Sequence, residues 1–323
     1  MRPGAALVRA TLLLAALVCA WSPAEARNKR PRARAAPTEV VATETLPVSR
    51  PVTGLGTHPV WDDGKAEISI YAGTARNRAG DTVRVEARSI VVKEDFDRRL
   101  LVKSDAAPGP KVNFPVLKQN FFLDVPAGTY TEHLMTSSFL DARAWKLVKL
   151  SATSQDGCGM TWVEVKPPLP GARPANQPWT HRSGSYWDEE GDRELRLEAG
   201  AGAQALDALP LWLRGVDLGR GGDIGFDLLP SQAAARVQRT GLVPALVHVA
   251  EAESLTVPAG RFPARRVEVR YLDVVDVYHF ESVFPNRLLR VETQKGVTLE
   301  LKKSLRLDYW NHTRPGDEKL LAD

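Results

Sequence analysis

Two stretches of this chain look like copies of each other. The run from Trp61-Asp62-Asp63-Gly64 to Gly73 returns, with one insertion, as the run from Trp187-Asp188-Glu189-Glu190-Gly191 to Gly200. Leu123 to Tyr130, built around Val125-Pro126-Ala127-Gly128, returns as Leu255 to Phe262 around Val257-Pro258-Ala259-Gly260, and Lys146 to Leu150 returns as Arg287 to Val291. The three matches keep their order at offsets of 126, 132 and 141 residues, the mark of a duplicated unit with small insertions. The expected organisation is a first repeat over 59–166 and a second over 186–313. Between them a linker over 167–185 opens on Pro167-Pro168-Leu169-Pro170-Gly171, the composition of a semi-rigid spacer.

Each repeat reads as β-structure. Thr82 to Arg88 alternates apolar and charged side chains, as do Arg193 to Glu198 and Val297 to Lys302. A period of two gives a strand one buried and one wet face, which belongs to antiparallel sheets rather than to parallel sheets flanked by helices. Turns punctuate at Arg78-Ala79-Gly80-Asp81 and Gln294-Lys295-Gly296, and both Pro-Ala-Gly motifs predict hairpins. One helix is expected at 205–215, held to one or two turns by Pro210. The fold class is therefore all-β and mainly antiparallel, with a short helix.

The ends read differently. Arg2 and Arg9 precede an apolar run from Ala10 to Trp21, followed by Ala24-Glu25-Ala26, so residues 1–26 are expected to be a secretory signal peptide and the destination the periplasm or cell surface of a bacterium. Residues 27–58 have the composition of a disordered Pro-rich leader, and 314–323 of a short tail. Removing the signal leaves Cys158 as the only cysteine, which excludes an intramolecular disulfide.

The net charge of +4 is located in the leader. Residues 1–58 hold eight of the chain's 43 basic residues and three of its 39 acidic ones, leaving 35 against 36 in the body. A nearly neutral body offers no face for displacing counterions, so nucleic acid is not an expected partner. Arg27, Lys29, Arg30, Arg32 and Arg34 are suited to contact with anionic lipid headgroups.

Leu206 to Arg214, then Gly221-Gly222-Asp223, then Glu253 to Glu268 around the Val-Pro-Ala-Gly hairpin follow one another as in the bacterial envelope family called domain of unknown function 3108, which residues 186–310 resemble. The resemblance implies an exported, strongly curved antiparallel sheet, similar to the half-barrels of periplasmic lipoprotein carriers. It brings no catalytic residues with it. The diverged copy in front departs from the family pattern and leaves open whether the halves form two sheets or one.

No catalytic signature is present. Cys158 lies in the turn Asp156-Gly157-Cys158-Gly159 without a family motif around it, and the six histidines show no metal-ligand spacing. No metal or cofactor is expected. The acidic turns, Asp62-Asp63 and Asp188-Glu189-Glu190, have the residue types of a glycosidase acid and base, but their repetition at one position of each copy points to turn chemistry.

A binding surface is what remains. The stretch Val275 to Phe284 is apolar on both faces, with Tyr278, Phe280 and Phe284 expected on one side and Val275, Val277 and Val283 on the other. Trp61, Trp187 and Trp212 add large rings able to line a groove. These observations suggest an envelope protein that binds an apolar or lipid-like ligand, a lipoprotein or an outer-membrane component on a concave sheet. The alternatives are a periplasmic hydrolase using the acidic turns or Cys158, and a scaffold without ligand.

Overall fold

The computed structural model describes residues 54–105, 112–173, 177–200, 202–238 and 240–322. The expected signal peptide, and the leader as far as residue 53, lie outside the described residues. The first half contributes β1 (Ala66–Arg76), β2 (Thr82–Asp97), β3 (Asn113–Pro126), β4 (Thr131–Asp141), β5 (Leu147–Gln155), β6 (Met160–Lys166), β7 (Trp179–Ser185) and β8 (Gly191–Leu197). The second contributes β9 (Gln204–Ala205), β10 (Gly222–Leu229), β11 (Val243–Val257), β12 (Gly260–Tyr271), β13 (Val274–Glu281), β14 (Leu288–Glu292) and β15 (Thr298–Leu307).

All fifteen strands belong to one sheet in the order β8-β7-β6-β5-β4-β3-β2-β1-β15-β14-β13-β12-β11-β10-β9. Every pairing is antiparallel except β9 beside β10. The two halves are therefore joined through β1 and β15, where Ala66 faces Leu307 and Thr74 faces Thr298. Gly73 makes this approach possible, because a Cβ there would lie 1.8 Å from the Thr298 carbonyl oxygen.

The sheet curls without closing: β8 and β9 are its two edges, although consecutive in the chain. The β11–β12 hairpin bends far enough for the Ala259 N–H to donate to Leu301 O on β15 at 2.9 Å. Both Pro-Ala-Gly motifs make the expected hairpins, with Gly128 at φ 77° and Gly260 at φ 134°. The connection from β9 to β10 enters the hollow of the curl. It begins as a 3-10 turn at Leu206–Ala208, continues through α1 (Leu209–Trp212) and ends as a second 3-10 turn at Leu213–Gly215, so the expected helix is one α-turn flanked by tighter ones. Leu209, Leu211 and Leu213 are fully buried against the concave face.

Three polar ties hold this insert. The Trp145 indole N–H donates to Trp212 O at 2.9 Å, and the Ser138 hydroxyl to Asp207 O at 3.1 Å. Arg214 makes a bidentate pair with Glu67 on β1, at 2.8 and 2.9 Å, with both side chains buried.

Several expected boundaries shift. The end of the predicted linker is β7, which pairs along its length with β6, so the sheet runs through it. The last residues of the predicted leader belong to the fold: Leu55 is buried and its carbonyl accepts the Trp61 indole N–H at 2.7 Å. The C-terminal tail packs Leu321 against the cluster of Ala66, Ile68, Ile90 and Val92 on the convex face.

Candidate binding cavity

Strand geometry carries a set of side chains to a cavity of about 230 Å³ on the concave face. Its apolar walls come from Phe121 and Leu123 of β3, Leu134 of β4, Val291 of β14 and Leu299 of β15. The segments around Leu206–Pro210 and Ser231–Gln238 cross over it, and Lys295, in the β14–β15 turn, is exposed at its rim.

The polar end comes from a short stretch of alternation. In β13 the residues Asp276, Tyr278 and Phe280 face inward, because every second side chain of a strand points to the same side. Asp276 is only 2 % exposed. Its Oδ2 accepts the Tyr271 hydroxyl at 3.0 Å and its Oδ1 accepts the Gln294 backbone N–H at 3.0 Å. The same carboxylate thus fixes the turn that carries Lys295. Asp207 enters from the insert, and its Oδ2 accepts the Gln232 backbone N–H at 2.7 Å.

Burial pushes both carboxyls above the usual range for aspartate, against the opposing pull of their hydrogen bonds and of Lys295. Burial also raises the Tyr271 phenol, with Asp276 adding to the effect, and raises Tyr278. Gln232 connects this end to β7: its Oε1 accepts from Nε2 of the fully buried His181 at 3.1 Å, an imidazole whose pKa burial lowers.

Of the residues singled out in the sequence, Tyr278 lines the cavity. Phe280 stacks beside it at 6.3 Å, fully buried in the core. Phe284 does not share their face: β13 ends at Glu281, and Phe284 sits in the following turn, exposed, 4.2 Å from the ring of His58. Trp212 is buried edge-on to Phe226, and Trp61 is buried beneath Arg214 and Arg306. Trp187 lies between the guanidinium groups of Arg78 and Arg236, each 5.2 Å from its ring. Asp207, Asp276, Tyr271 and Lys295 escaped the sequence reading. The available signal was an aspartate inside the run Val274-Val275-Asp276-Val277-Tyr278, where an apolar core strand has no use for a charge.

The acidic turns do not meet. Each antiparallel step from β1 to β8 reverses direction, so the turns that introduce these two strands lie at opposite ends of the sheet. Asp63 is bound by Arg306 at 2.6 and 2.8 Å, a hydrogen bond that lowers its pKa, while Glu190 accepts the Ser185 hydroxyl at 2.6 Å and pairs with Arg236. Cys158 is exposed, with its backbone N–H bonded to Asp156 Oδ1 at 2.6 Å. Among the described residues, no three His, Cys, Asp or Glu side chains gather as a metal site.

No family model matches the chain, and no curated protein does. Among solved structures it is similar to a β-barrel-like protein of domain of unknown function 1849 from Brucella abortus. The TM-score is 0.46 at 11 % identity, covering 75 % of this chain and 98 % of that one.

Proposed function

We propose that this protein binds a small apolar ligand in the hollow of its sheet and works outside the bacterial cytoplasm, without catalysis of its own. The observation that carries the reading is the cavity: apolar side chains of both halves wall it, and the interior of a well-packed sheet otherwise leaves few voids larger than a water molecule. Its size narrows the ligand. At about 30 Å³ for each water-sized unit, 230 Å³ accommodates roughly eight non-hydrogen atoms, which suits a ring or short chain rather than a two-chain lipid. Export rests on the sequence of residues 1–26, and the basic cluster Arg27 to Arg34 would hold the protein near anionic lipid. The hydrolase alternative is weakened by the separation of the two acidic turns.

An apolar fluorescent reporter tests the reading. Wild-type protein is expected to enhance its emission saturably, and Leu134→Trp and Val291→Trp, which fill the cavity from opposite walls, to reduce its affinity at least about tenfold while the fold persists. Undiminished binding in both variants would place the dye elsewhere and overturn the proposal.

A further inference from the structure

The polar end of the cavity brings two carboxylates and a phenol to one lining. Asp276 accepts from Tyr271 and Gln294, and Asp207 from Gln232 and Ser231, so each keeps lone pairs beyond those already used, since a carboxylate offers about four acceptor positions when ionised. Tyr278 supplies a further group: it is 4 % exposed, lines the cavity and makes no hydrogen bond among the described residues. Lys295, exposed at the rim, is the one cation of the lining, so the two aspartates outnumber it.

Resting on the binding function proposed above, we infer that the ligand is a small primary amine, its apolar body against Phe121, Leu134 and Val291 and its ammonium held by Asp207, Asp276 and the Tyr278 hydroxyl oxygen. An ammonium has three donors and no acceptor, which matches three acceptor groups. Its charge cancels the excess of the site. A carboxylate of the same length would bring a third carboxyl group beside the two aspartates, at a cost that burial magnifies. Desolvating an ammonium is itself expensive, and that cost is offset only where charged partners are already withdrawn from water, as Asp276 is fully and half-buried Asp207 in part.

The test compares hexylamine, hexanol and hexanoate by displacement of the fluorescent reporter, at neutral pH, from wild-type protein and from Asp207→Asn, Asp276→Asn and Tyr278→Phe. Hexylamine is expected to displace it at least about tenfold more tightly than hexanol, with hexanoate weakest, because charge-assisted hydrogen bonds exceed neutral ones. Each asparagine variant is expected to lose most of that advantage and to keep its affinity for hexanol. Equal affinity for amine and alcohol, or a preference for hexanoate, would overturn the amine assignment while hexanol binding upheld the apolar cavity. An amine preference that survives in all three variants would overturn the assignment of the head-group residues. Failure of all three compounds to displace a bound reporter would overturn both the amine and the cavity as its seat.

Discussion

Arg214 reaches out of the insert to Glu67 on β1 with both of its terminal nitrogens, and its Nε–H donates to Pro285 O at 3.2 Å. Taking two ions out of water is costly, and their bidentate geometry offsets the cost only while both are present. Glu67→Gln is expected to destabilise the protein by about 3–5 kcal/mol in denaturant unfolding, because a guanidinium is then left without its counter-ion. The double variant Glu67→Leu/Arg214→Met should recover most of that loss. The cavity aspartates behave in the opposite way. Their folded-state pKa values lie above those of the unfolded chain, so as pH rises from about 4 the unfolded state gives up its protons first and stability declines. Asp207→Asn is accordingly expected to melt no lower than wild type at neutral pH, whereas loss of a carboxylate that stabilised the fold would lower the melting temperature. Amine binding should strengthen as the same two groups ionise, in a field that also includes Tyr271, Tyr278 and Lys295. An amine affinity independent of pH between 4 and 7 would contradict their involvement.

At the scale of elements, the insert from Leu206 to Gly215 decides whether the curl has a cavity or an open trough. It supplies Leu206, Asp207 and Pro210 to the wall, and its end packs on Trp145, so closely that a Cβ on Gly215 would lie 2.2 Å from the indole. A flat ring among core neighbours has little room to yield. Gly215→Val is expected to cost about 1–3 kcal/mol and to weaken reporter binding together with stability, since it displaces one wall of the cavity. Much of this level was legible in the chain. Alternation at 82–88, 193–198 and 297–302 falls within β2, at β8 and at β15, and the proline and glycine of each Pro-Ala-Gly motif mark real hairpins. The end of β13 was misplaced because Ser282 to Phe284 continue its apolar pattern, while the strand stops at Glu281, whose backbone N–H bonds to Arg287 O at 2.8 Å. The order of the strands was not legible: period and pattern say which face of a strand is buried, and nothing local says that Ala66 will pair with Leu307. The polar end of the cavity was hidden for a similar reason, since Asp207 and Asp276 are far apart in sequence and meet only across the curl.

Across the whole molecule, two buried imidazoles work against the cavity aspartates as pH falls. Burial lowers the pKa of both His181 and His279, so below about pH 6.5 the unfolded chain takes up protons that the folded one refuses, and stability falls as pH drops. Because the aspartates act in the opposite sense over the same range, the check is a difference: between pH 6.5 and 5 acid is expected to lower the melting temperature of His181→Gln less than that of wild type, and an equal response would assign the effect to His279. Because one sheet runs through both halves, thermal unfolding of the described region should follow a single transition rather than two.

The pairing of β1 with β15 places the first and last strands side by side in the middle of the sheet, while the chain passes from one edge to the other between β8 and β9. Cut at that passage and spliced between residues 307 and 66, the same strands would read β9 to β15 and then β1 to β8, each next to its neighbour in sequence. The natural order makes the central seam the strand pairing most distant in sequence, closing a loop of more than two hundred residues. The permuted order turns that seam into a local hairpin, so a circular permutant should reach the same architecture faster than the natural chain.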